Sequence, residues 1–139
     1  MILIDTNVIS ELMRPRPSQA VLEWFGLRDA RDLFLSAVGE AELRRGAAML
    51  EPGARRERLI SEIDAMVRED FEGRVLPFDS SAARAFALIF AERRRAGRPI
   101  GFPDCQIAAT ARAQGAAIAT RNTSDFEGCG IAVLDPWEG

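Results

Sequence analysis

Apolar residues along this chain fall into short solid blocks separated by longer stretches in which they recur every three or four positions. Ile2-Leu3-Ile4 reads as a buried strand, and the stretch from Thr6 to about Met13 as a helix halted by Pro15 and Pro17. Ser18 is placed to cap a second helix, which carries Val21, Leu22, Trp24 and Phe25 and ends at Gly26. Leu33-Phe34-Leu35 is a second strand, with Ser36 as cap of a helix in which Leu43, Gly46, Ala47 and Leu50 repeat at helical spacing. After Pro52-Gly53 a further helix sets Leu59, Ile60, Ile63, Met66, Val67 and Phe71 on one face and stops at Gly73. Val75-Leu76, with Pro77-Phe78, forms a third strand. Asp79 or Ser80 caps a helix with Phe86, Ile89 and Phe90 inward, which runs out in Arg93-Arg94-Arg95 before Gly97 and Pro99. Pro103 suits a first helical position and opens PDCQIAATARAQ, up to Gly115. Ala117–Thr120 is the fourth strand and Ile131–Leu134 the fifth. Short strands alternating with helices predict an α/β domain, residues 1–139, with a mostly parallel sheet of about five strands covered on both faces.

Composition narrows the chemistry. Apolar content of 47% with 28% charged is ordinary globular material, and 139 residues bury roughly two-thirds of the unfolded surface. No apolar run approaches the ~20 residues of a membrane span, and no basic-then-apolar leader opens the chain, so the expectation is a cytoplasmic protein with no membrane partner. Histidine is absent, which excludes His-based triads and imidazole zinc sites. Lysine is absent too: all 18 basic residues are arginine, so no Schiff-base or phosphate-binding lysine is available. Cys105 and Cys129 have no metal-ligand spacing and read as small buried apolar residues. A net charge of −3 gives no global attraction to nucleic acid, but residues 84–98 hold five arginines (Arg84, Arg93, Arg94, Arg95 and Arg98) against one acid, Glu92.

In open parallel sheets, ligand sites collect at the carboxyl ends of the strands. Four acids fall there. Asp5 closes the first strand, Glu42 lies in the helix leaving the second, Asp104 is in the first turn of PDCQIAATA, and Asp125 lies in TRNTSDF after the fourth. Asp104 is in phase with Ile107, Ala108 and Ala111, so it shares the inward face. Each acid alone has an ordinary explanation as a cap, a turn former or a solvated helix residue. Together they would repel: at ~4 Å and an effective dielectric near 20, each pair costs about 4 kcal/mol. Such a cluster raises its pKa values or binds a hard cation, and an oxygen-only set points to Mg²⁺ or Mn²⁺. Glu40 and Glu42 are about 200° apart on one helix, and periodicity does not choose between them.

ILIDTNVISELMRP, LSAVGEAELRRGA, GFPDCQIAATARAQG and ATRNTSDFEGCGIAVLDPW, in that order, resemble the PIN-domain proteins, specifically the VapC/FitB-type ribonuclease toxins of bacterial type II toxin–antitoxin pairs. The resemblance covers nearly the whole chain. It implies a PIN-like three-layer sandwich and selects Glu42 over Glu40 as the metal-site glutamate, four residues before Gly46. It places Asp5 and Asp104 as ligands, with Asp125 as the fourth acid beside a neutral Asn122.

The resemblance further implies a Mg²⁺- or Mn²⁺-dependent endoribonuclease in which a metal-activated water attacks the phosphodiester. Thr6, Asn7 and Thr120 would orient Asp5, and Arg93, Arg94, Arg95, Arg98 or Arg121 would contact RNA phosphates. A dimer and a cognate antitoxin are implied, with DNA met only through the antitoxin and Trp24 and Phe25 available for a partner groove. Two other readings stand beside it: a PIN nuclease of RNA processing outside toxin–antitoxin systems, and a DNA-binding co-repressor whose catalysis is dispensable. A phosphoacceptor receiver domain requires the lysine this chain lacks. A dehalogenase-type phosphatase requires an aspartate where Asn7 stands.

Overall fold

The computed structural model describes residues 1–139. Strand β1 (Ile2–Ile4) is central, because its side chains are buried on both faces: Leu3 and Ile4 are 0% and 1% exposed. It leads into α1 (Thr6–Leu12) and α2 (Gln19–Gly26), then β2 (Leu33–Ser36), α3 (Ala37–Ala48) and α4 (Ala54–Ala65). The chain continues through β3 (Val75–Leu76), α5 (Ser80–Arg95), α6 (Phe102–Gln114), β4 (Ala117–Ala119) and β5 (Val133–Leu134). The sheet order is β3-β2-β1-β4-β5 and every pairing is parallel. Chain order thus reverses direction between β1 and β4, and the crevice beyond their carboxyl ends is where an open sheet of this kind opens to a ligand.

Alternation along the strands sorts the core into two layers. Leu3, Phe34 and Ile118 pack under α5 and α6 with Ile89, Cys105, Ile107 and Phe126. Ile4, Leu33, Leu35 and Ala119 face the other way, against Val8, Ile9, Val21, Trp24 and Phe71. The expected three-layer sandwich is therefore present. Burying each of these large aliphatic side chains contributes about 1.5–3 kcal/mol.

Several local expectations are met. Ser36 Oγ accepts from Gly39 N at 2.8 Å, and Asp79, not Ser80, caps α5 by accepting from Ala82 N at 3.0 Å. Gly115 ends α6 in the left-handed conformation, φ 66°, which favours glycine. Other details differ. The Ser18 side chain makes no capping bond; its backbone N–H donates to buried Glu11 Oε2 at 2.9 Å. Phe102 opens α6, so Pro103 is the second helical residue. The fourth strand ends at Ala119, and the fifth begins at Val133 rather than Ile131. The long helix after Gly53 breaks at Ala65 into a π-helical turn, Met66–Asp70, which keeps Met66 and Val67 packed inward. No helix is long and apolar enough to cross a membrane.

Candidate active site

Asp5 sits at the carboxyl end of β1, and its register fixes its neighbours. Ile4 pairs with Ala119, the Asp5 N–H donates to Ala119 O at 2.9 Å, and Thr120 comes alongside. The Asp5 carboxylate, on a residue only 5% exposed, accepts four hydrogen bonds, all from neutral donors. Thr6 N gives one at 2.8 Å and Thr6 Oγ1 a longer one at 3.4 Å, both to Oδ1. Thr120 Oγ1 at 2.8 Å and Asn7 Nδ2 at 3.2 Å donate to Oδ2. Burial nonetheless raises the Asp5 pKa above the usual carboxylate range, against these bonds and with the charge of Asp125 adding to it.

Thr120 and Asn7 lock the end of β1 to that of β4. The fully buried Thr120 hydroxyl also accepts from Asn7 Nδ2 at 3.2 Å and from Asn122 N at 3.1 Å. Asn7 Oδ1 in turn accepts from Arg121 N at 3.3 Å. The donors expected around Asp5 are the ones found there. Asn122 contributes through its backbone: its N–H reaches Thr120 and its carbonyl accepts from Asp125 N at 3.0 Å.

The Glu40/Glu42 question is answered by partners. Glu40 Oε2 accepts from Arg44 Nε at 2.7 Å, and Arg44 also bridges to Asp64 at 2.7 Å. Glu42 is turned into the cleft, and its Oε1 is buried with no hydrogen-bond partner, one of only two such side-chain atoms in the protein. Burial raises the Glu42 pKa, and the charges of Asp5 and Asp104 raise it further. Asp104, in the first turn of α6, is half-buried; burial and then the charges of Asp5 and Asp125 raise its pKa, with Arg93 opposing. Asp125 is exposed, in the 3₁₀ turn Thr123–Phe126.

Each acid thus feels at least one other, and none of the four forms a salt bridge. Their charges are coupled, yet no three of them are gathered tightly enough to form a ready-made metal cage. The donor set is carboxylate oxygen alone. It includes an unpartnered buried oxygen and no acid held in a salt bridge, and it suits a hard divalent cation.

The arginine expectation needs correction at Arg93. Its residue is only 7% exposed, because the guanidinium folds inward to donate to Arg98 O at 2.6 Å, Asp125 O at 2.8 Å, Glu127 O at 3.1 Å and Cys129 Sγ at 3.4 Å. Arg93 is a clamp on the loop that carries Asp125, not a surface contact for phosphate. Arg98 reinforces it through Ser124 O and the Glu127 carboxylate, both at 3.2 Å. Arg94 and Arg95 are exposed and unpaired, and the Arg121 guanidinium lies 4.9 Å above the Trp137 ring. Sequence reasoning missed the clamp because Arg93 stands first in a run of three identical residues; only its phase with Ala82, Ala85 and Ile89 on the buried face of α5 marks it out. Cys105 and Cys129 are both fully buried free thiols, and burial pushes Cys105 up to about 11. Trp24 is core, with Arg28 stacked 3.6 Å over its ring, while Phe25 remains half-exposed.

Comparison with known proteins agrees with this fold. The PIN-domain family model matches residues 2–128. The chain is 45% identical over 138 residues to the VapC ribonuclease Y4jK of Sinorhizobium fredii, covering 99% of both chains. It is 40% identical over 137 residues to the toxin FitB of Neisseria gonorrhoeae, again covering 99% of both. In structure it matches a chain of FitAB bound to an IR36 DNA fragment with a TM-score of 0.92 at 39% identity, covering 99% of this chain and 96% of that one. With a parallel sheet reversing at β1 and β4, a family model matching most of its length and relatives matched along 99% of theirs, the chain belongs to the PIN-domain family, among the VapC/FitB-type ribonuclease toxins.

Proposed function

We propose that this protein is the toxic endoribonuclease of a type II toxin–antitoxin pair, acting in the cytoplasm on RNA phosphodiesters with the help of Mg²⁺ or Mn²⁺. What supports the reading is the charge coupling among Asp5, Glu42, Asp104 and Asp125, none of them in a salt bridge, beside the reversal point of the sheet. A divalent cation would offset that repulsion. Asp5, Glu42, Asp104 and Asp125 would hold the ion, which supplies a water of lowered pKa and neutralises charge on the scissile phosphate.

The chain's own residues do the positioning. Thr6, Asn7 and Thr120 hold the Asp5 carboxylate in one orientation through four hydrogen bonds. The Arg93 clamp fixes the backbone of Asp125 and leaves its carboxylate free. Glu42 Oε1, unpartnered, is available to accept a proton from an attacking water. No histidine exists to take that part.

An antitoxin would block the cleft and carry the pair to DNA, as the DNA-bound FitAB structure suggests by its composition. A second copy of the chain would pack on Leu88 and Phe102, 54% and 63% exposed on neighbouring elements. Asp104→Asn tests the catalytic proposal: RNA cleavage should be abolished, with the melting curve still cooperative. Retained cleavage removes Asp104 from the site. Expression of the wild type should arrest growth, with rescue by the neighbouring gene product; harmless expression counts against a toxin.

A further inference from the structure

A groove of about 980 Å³ takes in Glu42, one of the four acids, and Thr6, whose backbone and hydroxyl bind Asp5. Helices α1, α3 and α4 form its walls. Four arginines line it, Arg14, Arg45, Arg55 and Arg58, against two carboxylates, Glu42 and Glu62. In a chain of net charge −3 this is a local reversal of sign. Arg45, Arg55 and Arg58 are exposed and form no salt bridge, whereas Arg14 is paired with Glu11 at 3.2 Å. Arg45 lies close enough to Glu42 to oppose the rise in its pKa, so the cationic wall meets the acidic centre.

Arg55 stands in the first turn of α4, where the helix dipole disfavours a cation, and Arg58 one residue beyond that turn, with only Glu57 as an acid in it. The N-cap is Gly53, so no side chain accepts from the first backbone N–H groups. Arg94 and Arg95 stand at the opposite kind of place, the last turn of α5, where the dipole favours them and accounts for them without a ligand.

We propose that this groove is the track for the RNA backbone, with Arg45, Arg55 and Arg58 contacting phosphates that flank the scissile bond. This rests on the ribonuclease reading above and replaces the cationic end of α5 as the principal RNA contact. The arginines offset the repulsion that the four acids exert on a polyanion, and they do so on the side where Glu42 faces the groove.

The test is fluorescence anisotropy with a fluorescein-labelled mixed-sequence RNA 20-mer in EDTA, so that binding is read without cleavage. R55Q/R58Q should bind about tenfold more weakly, and the slope of log K against log salt should fall by roughly 0.7 for each phosphate no longer neutralised. R55K/R58K should recover most of the affinity, and R94Q/R95Q should bind as the wild type does. Wild-type affinity in R55Q/R58Q, or an equal loss in R94Q/R95Q, overturns the proposal. If R55Q/R58Q loses the antitoxin while keeping RNA, the groove belongs to the protein partner and the proposal falls. A wild type that cuts RNA while R55Q/R58Q binds normally refutes only the groove; a wild type that neither binds nor cuts RNA refutes the ribonuclease reading as well.

Discussion

Thr120 donates its hydroxyl to Asp5 Oδ2 at 2.8 Å, joining residues 115 positions apart in the chain at the junction of β1 and β4. The same oxygen accepts from Asn7 and Asn122, so one buried hydroxyl both orients the first acid and fixes the start of the loop that bears the fourth. Thr120→Val should cost about 1–3 kcal/mol of stability, because it leaves the Asp5 carboxylate and two N–H donors short of a partner. Thr120→Ser should retain most of both stability and cleavage. Urea denaturation and a cleavage assay check the pair, and a valine variant as stable and active as the wild type would remove Thr120 from the orienting role.

Glu40 and Glu42, two residues apart, should separate cleanly. Glu42→Gln should lose cleavage by at least about tenfold, since it removes a charge from the cleft. Glu40→Gln should retain cleavage and lose at most about 0.5–1 kcal/mol of stability, the worth of a partly exposed ion pair. Equal activity losses would mean that the arginine partner of Glu40 does not decide its role.

Arg93→Met should destabilise the fold by about 2–3 kcal/mol by leaving carbonyls of Arg98, Asp125 and Glu127 without their donor. Arg94→Ala and Arg95→Ala should stay within about 0.5 kcal/mol of the wild type. Chemical denaturation of the three variants decides; similar values for all three would contradict the clamp.

Asp5, Glu42 and Asp104 all have pKa values raised in the folded state, chiefly by burial. Such acids bind protons more tightly when folded than when unfolded. The stability they contribute is complete below the unfolded pKa of about 4 and is lost as pH rises through the folded pKa. In EDTA, the wild-type melting temperature should therefore climb as pH falls from 7 toward about 5, relative to Glu42→Gln/Asp104→Asn. That double variant should be the more stable protein at pH 7 and have the flatter profile. Parallel profiles would show that the acids do not burden the fold.

A divalent cation should act in the opposite direction at neutral pH. Mn²⁺ at about a hundredfold excess over its Kd should stabilise the wild type by about 2.7 kcal/mol and Asp5→Asn much less. Calorimetry with and without metal measures this, and equal stabilisation of both proteins would dismiss Asp5 as a ligand.

The sequence disclosed whatever depends on local periodicity. β1 was legible as a solid apolar block, and Asp5 as the polar residue that ends it. The inward phase of Asp104 followed from Ile107, Ala108 and Ala111. Facts decided by distant partners were hidden. Glu42 differs from Glu40 because Arg44, held in place by Asp64 of the next helix, claims the latter. Arg93 differs from Arg94 by its place on the buried face of α5 and by carbonyls some thirty residues downstream. The π turn at Met66–Asp70 preserves an inward apolar face, so the pattern there passes for uninterrupted helix. The groove arginines of α4 stood in plain view as ARRER, but their lack of intramolecular partners becomes visible only in three dimensions.

The placement of β4 beside β1 has a temporal consequence for a protein that cuts RNA. During synthesis Asp5 emerges 115 residues before Thr120 and 120 before Asp125. A nascent chain lacks both the hydroxyl that seats the first acid and the loop that supplies the fourth. Competence is therefore deferred until translation has passed all of them, and the ribosome that makes this nuclease handles an unassembled blade.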